Sequence, residues 1–395
     1  MGLLLRALAV GATSMPRSGI REIMEVAATM EDVIHLEVGE PDFATPEEII
    51  DAAAAAAREG FTRYSPNAGF MSLRSAVADR VTAQGGVKIT PDHVVITPGA
   101  VCALATAIFA TVNPGEDVLV PDPGWPNYRS AVLLRGANPV AYALDRATGY
   151  LPGDRSLADA TGAEAKLLLV NSPANPTGAV FSLGTMRALY EHAVEHDLYV
   201  LSDEVYESFV FDGVHVSMGA FDDDGRVIVV SGFSKSFAMT GWRLGYAIAP
   251  PPIAAVMAKL LEPLVSCASS VVQKAGEAAL LLPPDRTLEM CRSYASRAAT
   301  VERILGPDGL LTSVPQGAFY ALIDVTRAGW DSNAVARDLL RREHVATAPG
   351  ATFGEHAEGT VRISLATEEN LLVEGCQRIR RYLKSPRTDR LMDDH

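Results

Sequence analysis

Short apolar runs recur through the first two thirds of the chain, at 93–97, 117–121, 166–170, 199–203, 227–231 and 245–249. They are rich in Val, Ile and Leu, and several stop at Gly, Pro or acidic residues, so they read as buried strands. Between most of them apolar positions return with helical spacing, as in 126–135 and 183–196. Strands alternating with helices predict an α/β protein with a mostly parallel sheet sandwiched by helices. From about residue 283 the pattern changes to long amphipathic helical stretches. Short strands are expected there at 318–324, 344–348 and 360–365. Pro283-Pro284-Asp285 marks the change.

The ends carry different patterns. Residues 3–10 form a short apolar run interrupted by Arg6. The run lacks a positively charged lead and a cleavage site, so it reads as a helix packed on the body or on a partner subunit rather than a secretion signal. No run approaches the roughly 18 apolar residues of a membrane span. The polar stretch 385–395 reads as a disordered tail. There is no internal repeat.

Length adds that 395 residues suffice for a large core and two structural domains. Charge narrows the partners. A net charge of −14 without a basic cluster argues against nucleic acid and for a soluble, cytoplasmic protein. Cys102, Cys267, Cys291 and Cys376 are scattered, show no CxxC spacing and read as reduced thiols.

Candidate chemistry centres on Lys235, in Ser231-Gly-Phe-Ser-Lys235-Ser-Phe-Ala-Met-Thr-Gly-Trp-Arg243. A lysine just past a buried strand loses hydration, which disfavours the ammonium and yields a nucleophilic amine. Such an amine forms a Schiff base with a carbonyl. Arg243 supplies a fixed cation for a phosphate. Alone, a Ser-Lys is more often a surface loop; four further segments change that. Asn171-Ser-Pro-Ala-Asn175-Pro-Thr-Gly178 follows a strand, and its Asn175 amide can hydrogen-bond a phenolate oxygen. Asp203 ends another strand, where an acid can pair with a pyridinium nitrogen, and Tyr206 follows it as a donor to a ring oxygen. Pro98-Gly99 stops a strand and opens an Ala-rich helix, whose N-terminus suits a phosphate. Arg362 lies within an apolar strand, where a substrate carboxylate or a structural ion pair would justify its charge.

With these segments in view, the chain resembles the class I, fold-type I pyridoxal-phosphate aminotransferases of the aspartate and aromatic superfamily. The resemblance runs from Ser18-Gly-Ile-Arg21 and Leu36-Glu-Val-Gly39-Glu-Pro-Asp-Phe43, through Tyr64-Ser-Pro-Asn-Ala-Gly69 and Gly317-Ala-Phe-Tyr320, to near Tyr382. It implies pyridoxal 5'-phosphate as cofactor and an amino acid and a 2-oxo acid as substrates. It also implies that Lys235 carries the cofactor and moves the proton, with Asp203 on the ring nitrogen and Tyr206 and Asn175 on the ring hydroxyl. Arg243 and the backbone of Gly99, Ala100 and Val101 resemble the phosphate cup, and Trp125 the ring that stacks on the cofactor. Tyr64 resembles the tyrosine that reaches the phosphate across a homodimer interface. Arg362, with Asn175 and the Gly39 backbone, resembles the clamp on the substrate α-carboxylate. The same resemblance implies a large domain at 46–282 and a discontinuous small domain from 1–45 and 283–395.

Two departures stand out. Many relatives have Ser three residues before the lysine, where this chain has Gly232, leaving Ser231 or Ser234 to compensate. Ile20 replaces a polar residue of some aspartate-specific relatives, and the helix starting at Ala100 lacks a cation for a distal carboxylate. Ile20 and the missing cation lean towards neutral or aromatic amino donors, whereas Gly232 bears on phosphate binding. A carbon–sulfur β-lyase on the same scaffold remains the alternative. A regulator built on such a domain would need a DNA-binding head, and no basic segment precedes Gly39. His192-Ala-Val-Glu195-His196 matches an inverted zinc-protease signature but lacks a third ligand, so no metal is expected.

Overall fold

A computed structural model describes residues 8, 10–13, 15–85 and 87–385. Most of the 3–10 run and residues 386–395 of the expected tail lie outside them. The short strand β1 (Ile34–His35) precedes the main sheet. That sheet contains β2 (Val94–Thr97), β3 (Asp117–Asp122), β4 (Asn138–Asp145), β5 (Leu151–Pro152), β6 (Ala165–Asn171), β7 (Tyr199–Asp203), β8 (Val227–Gly232) and β9 (Gly245–Ile248). Four strands follow: β10 (Tyr320–Asp324), β11 (Val345–Ala346), β12 (Ala348–Pro349) and β13 (Thr360–Ser364).

The main sheet runs in the order β2-β9-β8-β7-β6-β3-β4-β5. Its centre, from β4 through β3, β6 and β7 to β8, is parallel, while β9 runs antiparallel to both neighbours. Parallel strands need both faces covered, which explains why Leu167 to Val170 are wholly buried. One apolar cluster fills each face. Leu168, Val170 and Val200 lie on one, Leu167, Leu169 and Leu201 on the other, as side-chain alternation requires. A third cluster joins Ile34 and Leu36 to the Asp285–Leu305 and Glu369–Lys384 helices and to β10 and β13.

Three readings need correction. β4 was not anticipated, because its half-exposed positions break the apolar run that marked its neighbours. The strand expected at 344–348 is two. β11 pairs with β1 and β12 with β13, so the chain changes sheets at the buried Thr347. The strand expected from 318 starts at Tyr320, because Ala318 has φ 56° and leaves the extended region.

This topology puts the loops after β6, β7 and β8 at the same sheet edge, where parallel α/β sheets form their crevice.

Candidate functional site

A cavity of ≈ 430 Å³ opens at that edge. Gly39, Ala100, Val101, Trp125, Asn175, Asp203, Tyr206, Lys235, Arg243 and Arg362 all line it. Gly99 lies just beneath, against Arg243. Tyr64 is not brought in: its side chain stands 88% exposed beside a separate surface groove.

Lys235 follows β8 in a turn, and its Nζ donates to the Gly39 carbonyl at 2.5 Å. The rings of Tyr206 and Phe319 lie 5.8 and 5.5 Å from it. Loss of hydration pulls its pKa down to about 8, opposed by the charge of Glu40. Roughly a tenth is therefore free amine at neutral pH, far more than for an ordinary lysine. Arylation of Lys235 by trinitrobenzenesulfonate in the cofactor-free chain is expected to rise with a midpoint near pH 8 rather than 10.5. A midpoint above pH 10, followed by peptide mapping, would remove the desolvation argument.

Asp203 ends β7 and is almost fully buried. Burial pushes its carboxyl up to about 6, partly opposed by its hydrogen bonds. The Tyr128 hydroxyl donates to Oδ2 at 2.7 Å, and the Val205 amide to Oδ1 at 3.3 Å. Asn171 Nδ2 donates to the Asp203 carbonyl at 3.0 Å and ties the β6 and β7 ends together. The carboxylate thus keeps a fixed orientation and gains from any cation set before it.

Arg362, central in β13, is 2% exposed. Nη1 donates to Asn175 Oδ1 at 3.0 Å and Nη2 to the Glu37 carbonyl at 2.5 Å, while Nε is buried without a partner. Its guanidinium lies between the rings of Tyr320 and Phe353, at 4.3 and 4.8 Å. Among the described residues it makes no ion pair, so the structural salt bridge left open by the sequence is not what holds it. A buried, unpaired guanidinium calls for an anionic ligand. Because Asn175 Oδ1 accepts from Arg362, its Nδ2 is left to donate into the cavity.

Gly99 has φ 82° and N-caps the Ala100–Thr111 helix. A Cβ there would collide with the Arg243 guanidinium. The bare backbone lets that cation lie against the helix start and its free amides, an arrangement that suits phosphate. Gly232 and Ser234 line the cavity, whereas Ser231 is buried in β8. Of the two serines considered as substitutes, Ser234 is the one at the wall.

Sequence reasoning missed two supports. Tyr128 touches Asp203 across 75 residues, and the Tyr320 hydroxyl meets that of Tyr206 at 2.8 Å across 114. Trp125, three residues before Tyr128, was the available signal, since both face the same site from one helix start. His192 is half-buried, with Nε2 meeting Thr161 Oγ1 at 2.8 Å, while His196 is exposed at the end of the same helix. Glu204, Glu207 and His215 have metal-ligand atoms close together, but Glu204 already accepts from Ser202 and the Met218 amide.

The family described as "Aminotransferase class I and II" matches residues 31–379. An aspartate aminotransferase of Pyrococcus horikoshii is 37% identical over 372 residues, covering 93% of this chain and 95% of its own. An aromatic-amino-acid aminotransferase of Thermococcus litoralis is 37% identical over 374, covering 93% and 96%. The structure of Thermus thermophilus aspartate aminotransferase with maleate superimposes with TM-score 0.90 at 34% identity, covering 95% of this chain and 100% of that one.

Proposed function

The chain belongs to the class I and II aminotransferases, transferases that work with pyridoxal phosphate, and from that premise we propose how it does so and on what. It passes the amino group of an L-amino acid to a 2-oxo acid in two alternating half-reactions, with neutral or aromatic donors favoured over strict aspartate. The observation that carries this reading is the convergence on one cavity of Lys235 with its lowered pKa, a buried Asp203 and an Arg362 that makes no ion pair among the described residues.

The residues fit the cofactor. The space at Gly99 that a Cβ would fill, together with Arg243 and the amides of Ala100 and Val101, suits the phosphate. Tyr206 and Asn175 would hold the ring oxygen, Asp203 the ring nitrogen, Lys235 the aldehyde carbon and Trp125 one ring face. When bound, pyridoxal phosphate supplies a carbonyl that takes up the substrate amine and a ring that accepts the electron pair of the broken Cα–H bond.

Arg362 would take the substrate α-carboxylate bidentately, which orients the Cα–H bond. Lys235 would supply the base that takes the Cα proton. Its lowered pKa keeps the driving force for proton transfer small in either direction. Apolar walls from Ile20, Met24, Val38 and Val101 support the donor preference.

The same reading assigns residues 46–282 to a large domain and 1–45 with 283–395 to a small one, in a cytoplasmic homodimer where Tyr64 serves the partner's phosphate. A monomer by sedimentation equilibrium would remove that role from Tyr64.

The function is tested by titrating the holoenzyme with single amino acids, then with 2-oxo acids, and following the visible cofactor band. Phenylalanine, tyrosine or leucine is expected to bleach the band at least as efficiently as aspartate, and a 2-oxo acid to restore it. Pyruvate and ammonia released from a cysteine conjugate, with no amino transfer, would instead establish the lyase.

A further inference from the structure

Asp122 ends β3, is only 4% exposed and does not line the cavity. A buried carboxylate is costly unless it is hydrogen-bonded. Asp122 finds its donors far along the chain: the Glu355 amide, 233 residues away, gives to Oδ2 at 3.0 Å and the His356 amide to Oδ1 at 3.1 Å. His356 Nδ1 stands 3.4 Å from Oδ2. These donors lie in the loop between β12 and β13. Gly354, beside them, has φ 131°, and a Cβ there would collide with the Asp122 carboxylate. The Gly124 amide adds a bond to the Phe353 carbonyl at 2.8 Å. The end of β3 and the 353–356 loop are thus clasped together.

Each side of the clasp continues to the site. Just past Asp122, Trp125 lines the cavity and the Tyr128 hydroxyl donates to Asp203. On the other side, the Phe353 ring lies 4.8 Å from the Arg362 guanidinium and packs with Ile20. Arg362 stands on β13 and Asp203 on β7, in different sheets, so their spacing depends on ties between those sheets. Asn175 gives one tie, at the guanidinium itself.

We propose that Asp122 is a positioning residue that gives the second tie: it fixes Arg362 relative to Asp203, and so the substrate α-carboxylate relative to the cofactor ring. This rests on the transamination reading above. The reaction needs the Cα–H bond aligned with that ring, and the alignment follows from where the α-carboxylate is held. A carboxylate suits the task because both of its oxygens accept, whereas an amide satisfies only one of two backbone donors.

The test compares Asp122→Asn and Phe353→Leu with wild type, all as holoenzymes. Asp122→Asn keeps the shape and one acceptor, and sets an amide nitrogen against a backbone donor. With the amino acid that wild type uses best, kcat is expected to fall by about tenfold or more, because a misplacement of roughly 1 Å costs about 10²-fold. The ligand 3-phenylpropionate needs the Arg362 charge but no reaction geometry, so its affinity by calorimetry should stay within about threefold. The visible absorption of the cofactor should not change, because Asp203 and Lys235 keep their own partners. Phe353→Leu leaves Asp122 in place and should show the same split between kcat and affinity. The double variant should be slower than the slower single variant by no more than about twofold, as expected for groups that act along one path. A kcat within about threefold of wild type in folded Asp122→Asn overturns the assignment. So does an affinity loss equal to the kcat loss, or full multiplication of the two single losses. If Asp122→Asn does not fold, Phe353→Leu decides: the split upholds the path from Asp122 to Arg362, and an unchanged kcat breaks it. Absence of wild-type turnover with every amino acid would remove the transamination reading, and this proposal with it.

Discussion

Lys235→Ala is expected to lower kcat by at least about 10⁴-fold, because one substitution removes both the amine that bonds the carbonyl and the base that takes the Cα proton. General-base catalysis by itself contributes about 10²–10⁴. The loss should not come from unfolding. In the folded chain the Lys235 pKa lies near 8, below the unfolded value of 10.5. Below pH 8 both states hold the proton and the buried ammonium opposes folding. Between pH 8 and 10.5 only the unfolded state holds it, so stability rises with pH across that window and the penalty is gone above it. The desolvation penalty at pH 7 is about 3 kcal/mol, from roughly 1.4 kcal/mol per pKa unit. The cofactor-free variant should therefore melt no lower than wild type at pH 7, with the difference shrinking towards pH 10. More than trace turnover in a well-folded variant would end the assignment of Lys235.

Asp203→Asn is expected to lower kcat by about 10²–10⁴-fold while the cofactor stays bound. The side chain keeps its shape, and Tyr128 can still donate to its carbonyl oxygen. The charge is lost, and with it one acceptor, because an amide nitrogen in place of Oδ1 cannot accept from the Val205 amide. Breaking a buried charge pair by removing one partner costs about 3–5 kcal/mol, and each 1.36 kcal/mol placed on the barrier is a factor of ten in rate. On the proposed reading the carboxylate would keep a ring nitrogen protonated, so the effect should fall on kcat with KM little changed. Phosphate analysis of the purified variant would report retention of the cofactor. A variant with kcat within threefold of wild type would show that the charge at Asp203 is not used in the chemistry.

Both predictions concern residues that stand out in the chain itself. Lys235, Asp203 and Asn175 follow or end buried apolar runs, and it is their recurrence at several strand ends, not any one of them, that points to chemistry. The supports are less legible. Tyr128 and Tyr320 look like ordinary core aromatics, and their partners lie 75 and 114 residues away.

The sequence alone determined the α/β class, the main strands and most of the residues that line the cavity, because burial on both sheet faces writes itself as continuous apolar runs and the loops that follow them must carry the polar groups. Tertiary structure decided the strand order, the reversed direction of β9, the change of sheet at Thr347 and the pairing of Asp203 with Tyr128. It also left Arg362 without a counter-ion among the described residues. These depend on which distant segments meet, and the local pattern of apolar and polar residues is the same for many such meetings.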